Sequence, residues 1–231
     1  MDRLSKLQNL FLYKLLGVFK CPVPLMHFDL KMTLMPLRIL KSKLLLYHHI
    51  ITLEDRSLAK TIIDIQSRLK LFNLKDEVDP FLTRHEVLDV AAYSKVKWKN
   101  FVSKQIEEET RITLLEQAKG YKKLDSLALA CEEFKLKEYF STYNLEDARL
   151  KFRLRSNCVS PCSTMQPSDW NNIKSSHMCP HHKESPKLDL LSHWSSCPEY
   201  AKFSTNRDLS REKDLLDFYR DIIKFRMEEK K

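Results

Sequence analysis

Between Pro36 and Ile51 apolar side chains return every three or four residues, at Leu37, Leu40, Leu44, Tyr47 and Ile51. That spacing is one face of a helix, and Leu45, Leu46 and Ile50 widen it, so a well-buried helix is predicted from Pro36, whose ring suits a first turn. A second stripe, Leu58, Ile62, Ile65 and Leu69, follows "TLED" at 52–55, which reads as a Thr N-cap with an acid three positions on. "TRHE" at 83–86 reads as another capping box, opening a short helix through Val90. Over 95–118, Trp98, Phe101, Val102 and Ile106 form an apolar stripe, with Lys and Glu on the other side. The stretch 122–140 predicts one or two short helices, and Asn144 with Asp147 caps another at "LEDARLKFRLRS". A closing helix over about 208–228 groups Leu215, Tyr219, Ile222 and Ile223.

Strand signals are weak. "RLKFRLR" at 149–155 alternates apolar and basic residues, but the cap before it and the absence of a partner strand favour helix. Residues 1–35 form a hydrophobic, basic lead-in in which the two prolines of "CPVPLMHFDL" at 21–30 break any helix. The stretch 156–187 is rich in Ser, Pro, Asn and Cys and reads as loop. The fold class expected is therefore mainly α, an irregular helical bundle with a small zinc-knuckle-like segment at its C-terminal end. The expected divisions are the lead-in at 1–35, a helical domain at 36–155, and a Cys/His segment with the closing helix at 156–231.

Composition narrows the chemistry. Only Gly17 and Gly120 are glycines in 231 residues, against roughly sixteen at ordinary usage. Tight hairpins and left-handed helix caps lean on Gly, so polar loops joining helices are expected, and a P-loop or GxGxxG fingerprint is excluded. The net charge of +9 draws polyanions, nucleic acid or an anionic surface; a basic solvated surface with no partner is the plainer alternative. No secretory leader is convincing, because Lys14 interrupts "LQNLFLYKLLGVFK" and no cleavage site follows. No apolar run approaches the ~20 residues of a membrane span. An intracellular setting, nuclear or cytoplasmic, is expected; there the six cysteines read as metal ligands sooner than as disulfides.

The densest chemistry is "MCPHHKESPKLDLLSHWSSCPEY" at 178–200. Cys179, His182, His193 and Cys197 have the composition of a four-coordinate structural Zn2+ site. His193 and Cys197 are four apart, one helical turn, and "LDLLSHWSSC" has the apolar content for that turn. Alternatives stay open. His181 can replace His182, Cys158 and Cys162 can supply ligands, and the whole stretch can be a polar loop. A catalytic metal or a Cys–His nucleophile fits less well, since two Cys and two His suit four ligands.

Arg149, Lys151, Arg153 and Arg155 stand in a run with no acid from 148 to 168, and Phe152 among them could stack on a base. Arg38, Lys41 and Lys43 make a second basic cluster. Against this, Leu150, Phe152 and Leu154 can equally be core, with the cations facing water.

Four stretches, taken in order, resemble the extreme C-terminal region of the reverse-transcriptase polyprotein of non-LTR (LINE-like) retrotransposons. They are "LYKLLG" at 12–17, "MPLRILKSKLLLYHHII" at 35–51, "EDARLKFRLRSN" at 146–157 and "CPHHKESPKLDLLSHWSSCPEY" at 179–200. The resemblance implies a helical segment beyond the polymerase subdomains, ending in a zinc knuckle that holds RNA or DNA. By position it implies Cys179, His182, His193 and Cys197 as ligands and Arg149 to Arg155 as the basic helix. The chain departs from the family in having His182 for the second Cys and Lys43 for a double Arg. It also has seventeen residues between "LYKLLG" and "MPLR", where the family has few. No Asp-Asp pair is present, so the polymerase's metal-binding carboxylates are missing.

The expectation is a non-catalytic nucleic-acid-binding region, or a truncated remnant of such an element, with RNA or DNA as partner and neither membrane nor small-molecule substrate. A helical protein-interaction domain with a basic surface is the alternative.

Overall fold

The computed structural model describes residues 2–18, 21–69, 73–121, 124, 129, 132–156, 158, 179, 181, 191–194, 196–204 and 207–228. Among them the chain is mainly helical and holds no strand. Helices α1 (Asp2–Leu16) and α2 (Val23–Asp29) lead into α3 (Met35–Ile51), α4 (Leu58–Arg68), α5 (Leu74–Arg84) and the long α6 (Lys95–Ala118). A short α7 (Tyr139–Thr142) precedes α8 (Leu145–Arg155). Toward the C-terminus come α9 (Leu191–Trp194), α10 (Pro198–Ala201), a 3-10 turn (Lys202–Ser204) and α11 (Glu212–Glu228).

Helix α6 is the common wall of two cores. Its buried residues are Trp98, Val102, Ile106, Thr110, Leu114 and Ala118, each four after the last. Four residues at 3.6 per turn overshoot a full turn by about 40°, so the stripe winds about 200° around the helix. Its first half therefore faces Leu44 of α3 and Val78 and Phe81 of α5, while Leu114 and Ala118 face Leu12, Leu16, Leu25 and Phe28. The indole N–H of Trp98 donates to the Leu44 carbonyl at 3.0 Å, fixing α6 against α3.

The lead-in belongs to this second core. Leu25, Met26, Phe28 and Asp29 are fully buried, and Pro24 sits in the first turn of α2, where its missing N–H costs no helical bond. The expected helix break at 21–30 is thus a helix start, and residues of α1 and α2 pack into this core. "LYKLLG" closes α1 in a Schellman arrangement. Gly17 takes φ +63°, and the Val18 N–H donates to the Tyr13 carbonyl at 3.1 Å. Arg149 of α8 adds a donor there, its Nε–H reaching the Leu15 carbonyl at 2.6 Å.

Several expected boundaries move. The cap of α4 is Ser57, whose hydroxyl accepts from the Lys60 N–H, rather than Thr52. "TRHE" ends α5 instead of opening a helix; α5 starts at the Asn73 cap, runs through Pro80, and closes with Glu86 at φ +52°. Lys31 closes α2 in the same left-handed conformation, at φ +50°. So two of these caps form without Gly, at a cost of about 1–2 kcal/mol each, offset by the bonds Met32 N–H to His27 O and Val87 N–H to Leu82 O. The 95–118 helix, the Asn144 cap and the helix over 145–155 stand as expected. Much of 122–131 and 157–190 lies outside the described residues, including parts of the expected short helices and loop.

Candidate functional site

A third core gathers Cys179, Trp194, Cys197, Tyr200, Phe218 and Ile222 against the inner face of α11. Within it, ligand atoms of Cys179, His193 and Cys197 all lie within 4.8 Å of one another, and all three residues are buried. The sequence spacing explains half of this. The Cys197 N–H donates to the His193 carbonyl at 2.9 Å, so one helix-like turn brings the imidazole and the thiol to the same side. Cys197 then serves as the N-cap of α10, with Pro198 at its first position. Cys179 arrives from 18 residues away, its Sγ 3.9 Å from that of Cys197. A disulfide would need about 2.05 Å. Two sulfurs bound to one tetrahedral ion at 2.3 Å sit about 3.8 Å apart, which matches.

The donor chemistry agrees with the distances. Burial pushes the Cys179 thiol up, with the neighbouring Cys197 adding to the rise, although a backbone contact at His181 opposes it. A cation is what would hold both sulfurs as thiolates in so dry a place. The Cys179–His193–Cys197 group could therefore bind a metal ion.

The alternatives for the remaining position separate. His181 does not belong to the group; its ring lies edge-on to Tyr200 at 5.2 Å and stacks on Phe225 at 5.8 Å. Cys158 packs elsewhere, against the N-terminal core beside Cys21. His182 and Cys162 lie outside the described residues.

The basic run of α8 turns out to face inward as much as outward. Phe152 is fully buried, packed in the N-terminal core with Phe140 6.4 Å away, so it offers no ring face to a base, and the stacking expectation is corrected. A residue flanked by cations looks exposed in sequence, but on this helix it shares the buried side with Ala148. Arg149 is spent on α1, and Lys151 pairs with Glu212 of α11. Arg155 grips both oxygens of Glu132, at 2.8 and 2.7 Å, and reaches the buried Asp29 at 3.0 Å. Arg153 is half-buried, and burial followed by the charge of Arg149 pulls its pKa below the usual arginine range. In the other cluster Arg38 is exposed, Lys41 is half-buried and Lys43 pairs with Glu77.

A cationic surface that the sequence reading passed over lies at the start of α6. Lys95, Lys97, Lys99 and Lys104 are exposed and have no ion-pair partner among the described residues. The signal was present, since no acid falls between Asp89 and Glu107, but the glutamates at 107–109 masked it.

No protein-family model matches the chain, and no curated protein or solved structure matches it.

Proposed function

We propose that the protein is a non-catalytic, zinc-stabilised helical domain that binds RNA or DNA, derived from the C-terminal region of a retrotransposon reverse transcriptase. The observation that carries this reading is the buried convergence of Cys179, His193 and Cys197, in the order and spacing of the resembling motif. Two thiolates and an imidazole are a zinc donor set, and His182 completes it by sequence position. The ion's role is structural, because three buried ligands and a fourth leave no open position for chemistry. The lysines at the start of α6, with Arg38 of α3, are the contacts for phosphate; α8 is chiefly scaffold.

The test is titration of the full chain with fluorescent single-stranded RNA and duplex DNA. Affinity should fall steeply between about 50 and 200 mM salt and depend little on sequence, since neutralised phosphates release counterions. The double variant Lys97→Glu, Lys99→Glu should weaken binding at least tenfold with helicity unchanged. Absence of binding at low salt removes this reading.

A second reading, a protein-interaction domain, is favoured by α4. Its stripe of Leu58, Ile62, Ile65 and Leu69 faces solvent, Leu58 at 75% and Leu69 at 63% exposure. Helix α1 likewise exposes Leu4, Leu7, Leu10 and Phe11.

A further inference from the structure

The outer face of α1 is apolar and cationic at once. Leu4, Leu7, Leu10 and Phe11 are exposed on it, Leu7 at 61% and Phe11 at 59%. Arg3 and Lys14 are exposed as well. At 3.6 residues per turn these six positions fall within about 120° of the helix circumference and span about 17 Å of its length. Exposed Lys6 borders the same face, and no acid occurs between Arg3 and Lys14 in the sequence. We infer that this face docks α1 on an anionic lipid surface, with the helix lying flat along the headgroup layer.

The face is held outward by what lies behind it. Leu12 and Leu16 are buried in the core shared with α2 and α6. The Gln8 amide donates to the Thr33 carbonyl at 3.0 Å and accepts from the Met35 N–H at 3.1 Å, and Asn9 meets His27 at 2.9 Å. Near the C-terminal end of α1, Arg149 donates to the Leu15 carbonyl. With that side fixed, Leu7 and Phe11 cannot turn inward, and α1 presents them as a convex ridge. The cleft beside α1 takes its lining from Ser5, Gln8 and Asn9, on the inner side, and from none of the four exposed apolar residues. Arg3 and Lys14 have no ion-pair partner among the described residues, so their charges are not spent within that part of the chain.

The charges that accompany the apolar residues select the partner. On α4 the exposed stripe Leu58, Ile62, Ile65 and Leu69 is accompanied by exposed Asp64 and Arg68, one charge of each sign, and Lys60 is paired with Asp55. That face favours neither sign. On α1 every charge from position 3 to 14 is positive, so the partner is acidic. Nucleic acid is acidic but offers no apolar layer to receive the leucines and Phe11. A bilayer with anionic lipid offers both: acyl chains for Leu and Phe, and charged headgroups at the level to which Arg and Lys stems snorkel. A fluid surface also adapts to a convex ridge, whereas an acidic protein must supply a groove of matching shape. The docking is peripheral, since among the described residues no helix is long and apolar enough to cross a membrane. It departs from the expectation of no membrane partner. It is independent of the nucleic-acid reading, because α1 packs at the Leu114–Ala118 end of α6 while Lys95, Lys97 and Lys99 stand at the other end.

The test is flotation of the full chain with vesicles of phosphatidylcholine alone and of phosphatidylcholine mixed equally with phosphatidylserine. The chain should bind the mixed vesicles more tightly than the neutral ones by about tenfold or more. Charge alone draws a chain of net charge +9 toward the mixed vesicles, so the deciding variant is apolar. Leu7→Ser, Phe11→Ser should weaken that binding about tenfold, whereas Ile62→Ser, Ile65→Ser in α4 should leave it unchanged. All four positions are exposed, so both variants are expected to fold, and circular dichroism checks this. RNA binding should be the same in both variants and in wild type. Absence of flotation with the mixed vesicles, or equal flotation of wild type and the Leu7, Phe11 variant, overturns the inference. So does capture of an acidic amphipathic peptide that needs Leu7 and Phe11, by a chain that ignores both kinds of vesicle; that result assigns the face to a protein partner.

Discussion

The helical body and the C-terminal segment are both built around aromatic cores, yet their cores differ in kind. The body buries Leu, Ile, Val, Phe and Trp from α1 to α8 in two clusters joined through α6. Among the described residues the C-terminal core has six buried members in its hydrophobic cluster, two of which are cysteines, with a buried histidine between them in sequence. The first is built chiefly on apolar burial. The second places thiols and an imidazole where a purely apolar core would place aliphatic side chains, a group that could bind a metal ion. A segment with little apolar surface can hold its shape by ligation, as a larger one does by packing.

The largest effect that tests this contrast is metal removal. A chelator, or Cys197→Ala, should unfold the segment around Trp194 and Tyr200, with a free-energy loss on the order of 10 kcal/mol for a structural zinc. The near-ultraviolet signal of those rings should disappear while most helicity remains. A single transition of the whole chain, unchanged by chelator, breaks the comparison. Next in size is Trp98→Ala in the body. Trp98 is 1% exposed, donates to Leu44 and stacks at 5.7 Å on both His48 and Phe101, so its truncation should cost about 3–5 kcal/mol. Urea unfolding measures that loss, and bound metal per chain should be unaltered.

The smallest effect is a pH dependence that separates the two regions. His27 of α2 is fully buried, with Nδ1 donating to the Met32 carbonyl at 3.1 Å and Nε2 2.9 Å from Asn9. Burial pulls its pKa below 6.5, with the Met32 bond opposing. Between that lowered value and 6.5 the unfolded chain binds the proton more readily than the folded one. Stability is therefore complete above 6.5 and falls as the solution is acidified through that window. In chelator-treated protein, where acid release of metal plays no part, the slope should persist in wild type and flatten in His27→Gln.

Much of the site was legible in the sequence because its chemistry is local. His193 and Cys197 are one turn apart, and the hydrogen bond between their backbones is the one that spacing implies. Cys179 carried the pattern but not its position. Only packing against α11 brings it to its partners and removes His181 to the aromatic wall of Tyr200 and Phe225. The basic run of α8 misled because counting charges says nothing of what lies opposite. Asp29 and Glu132 are 126 and 23 residues from Arg155, and no local pattern reveals them. The α4 stripe shows the reverse error, since helical periodicity marks an apolar face without saying that the face is covered.

Helix type, the Asn144 cap, the span of α6 and the pairing of His193 with Cys197 were determined by the sequence itself, since each depends on residues within a turn or two of one another. The tertiary structure alone decided which face of each helix is inside, which cations are spent on buried acids, and which Cys and His meet. Those outcomes depend on long-range packing that brings distant residues together, and on the dry surroundings it creates.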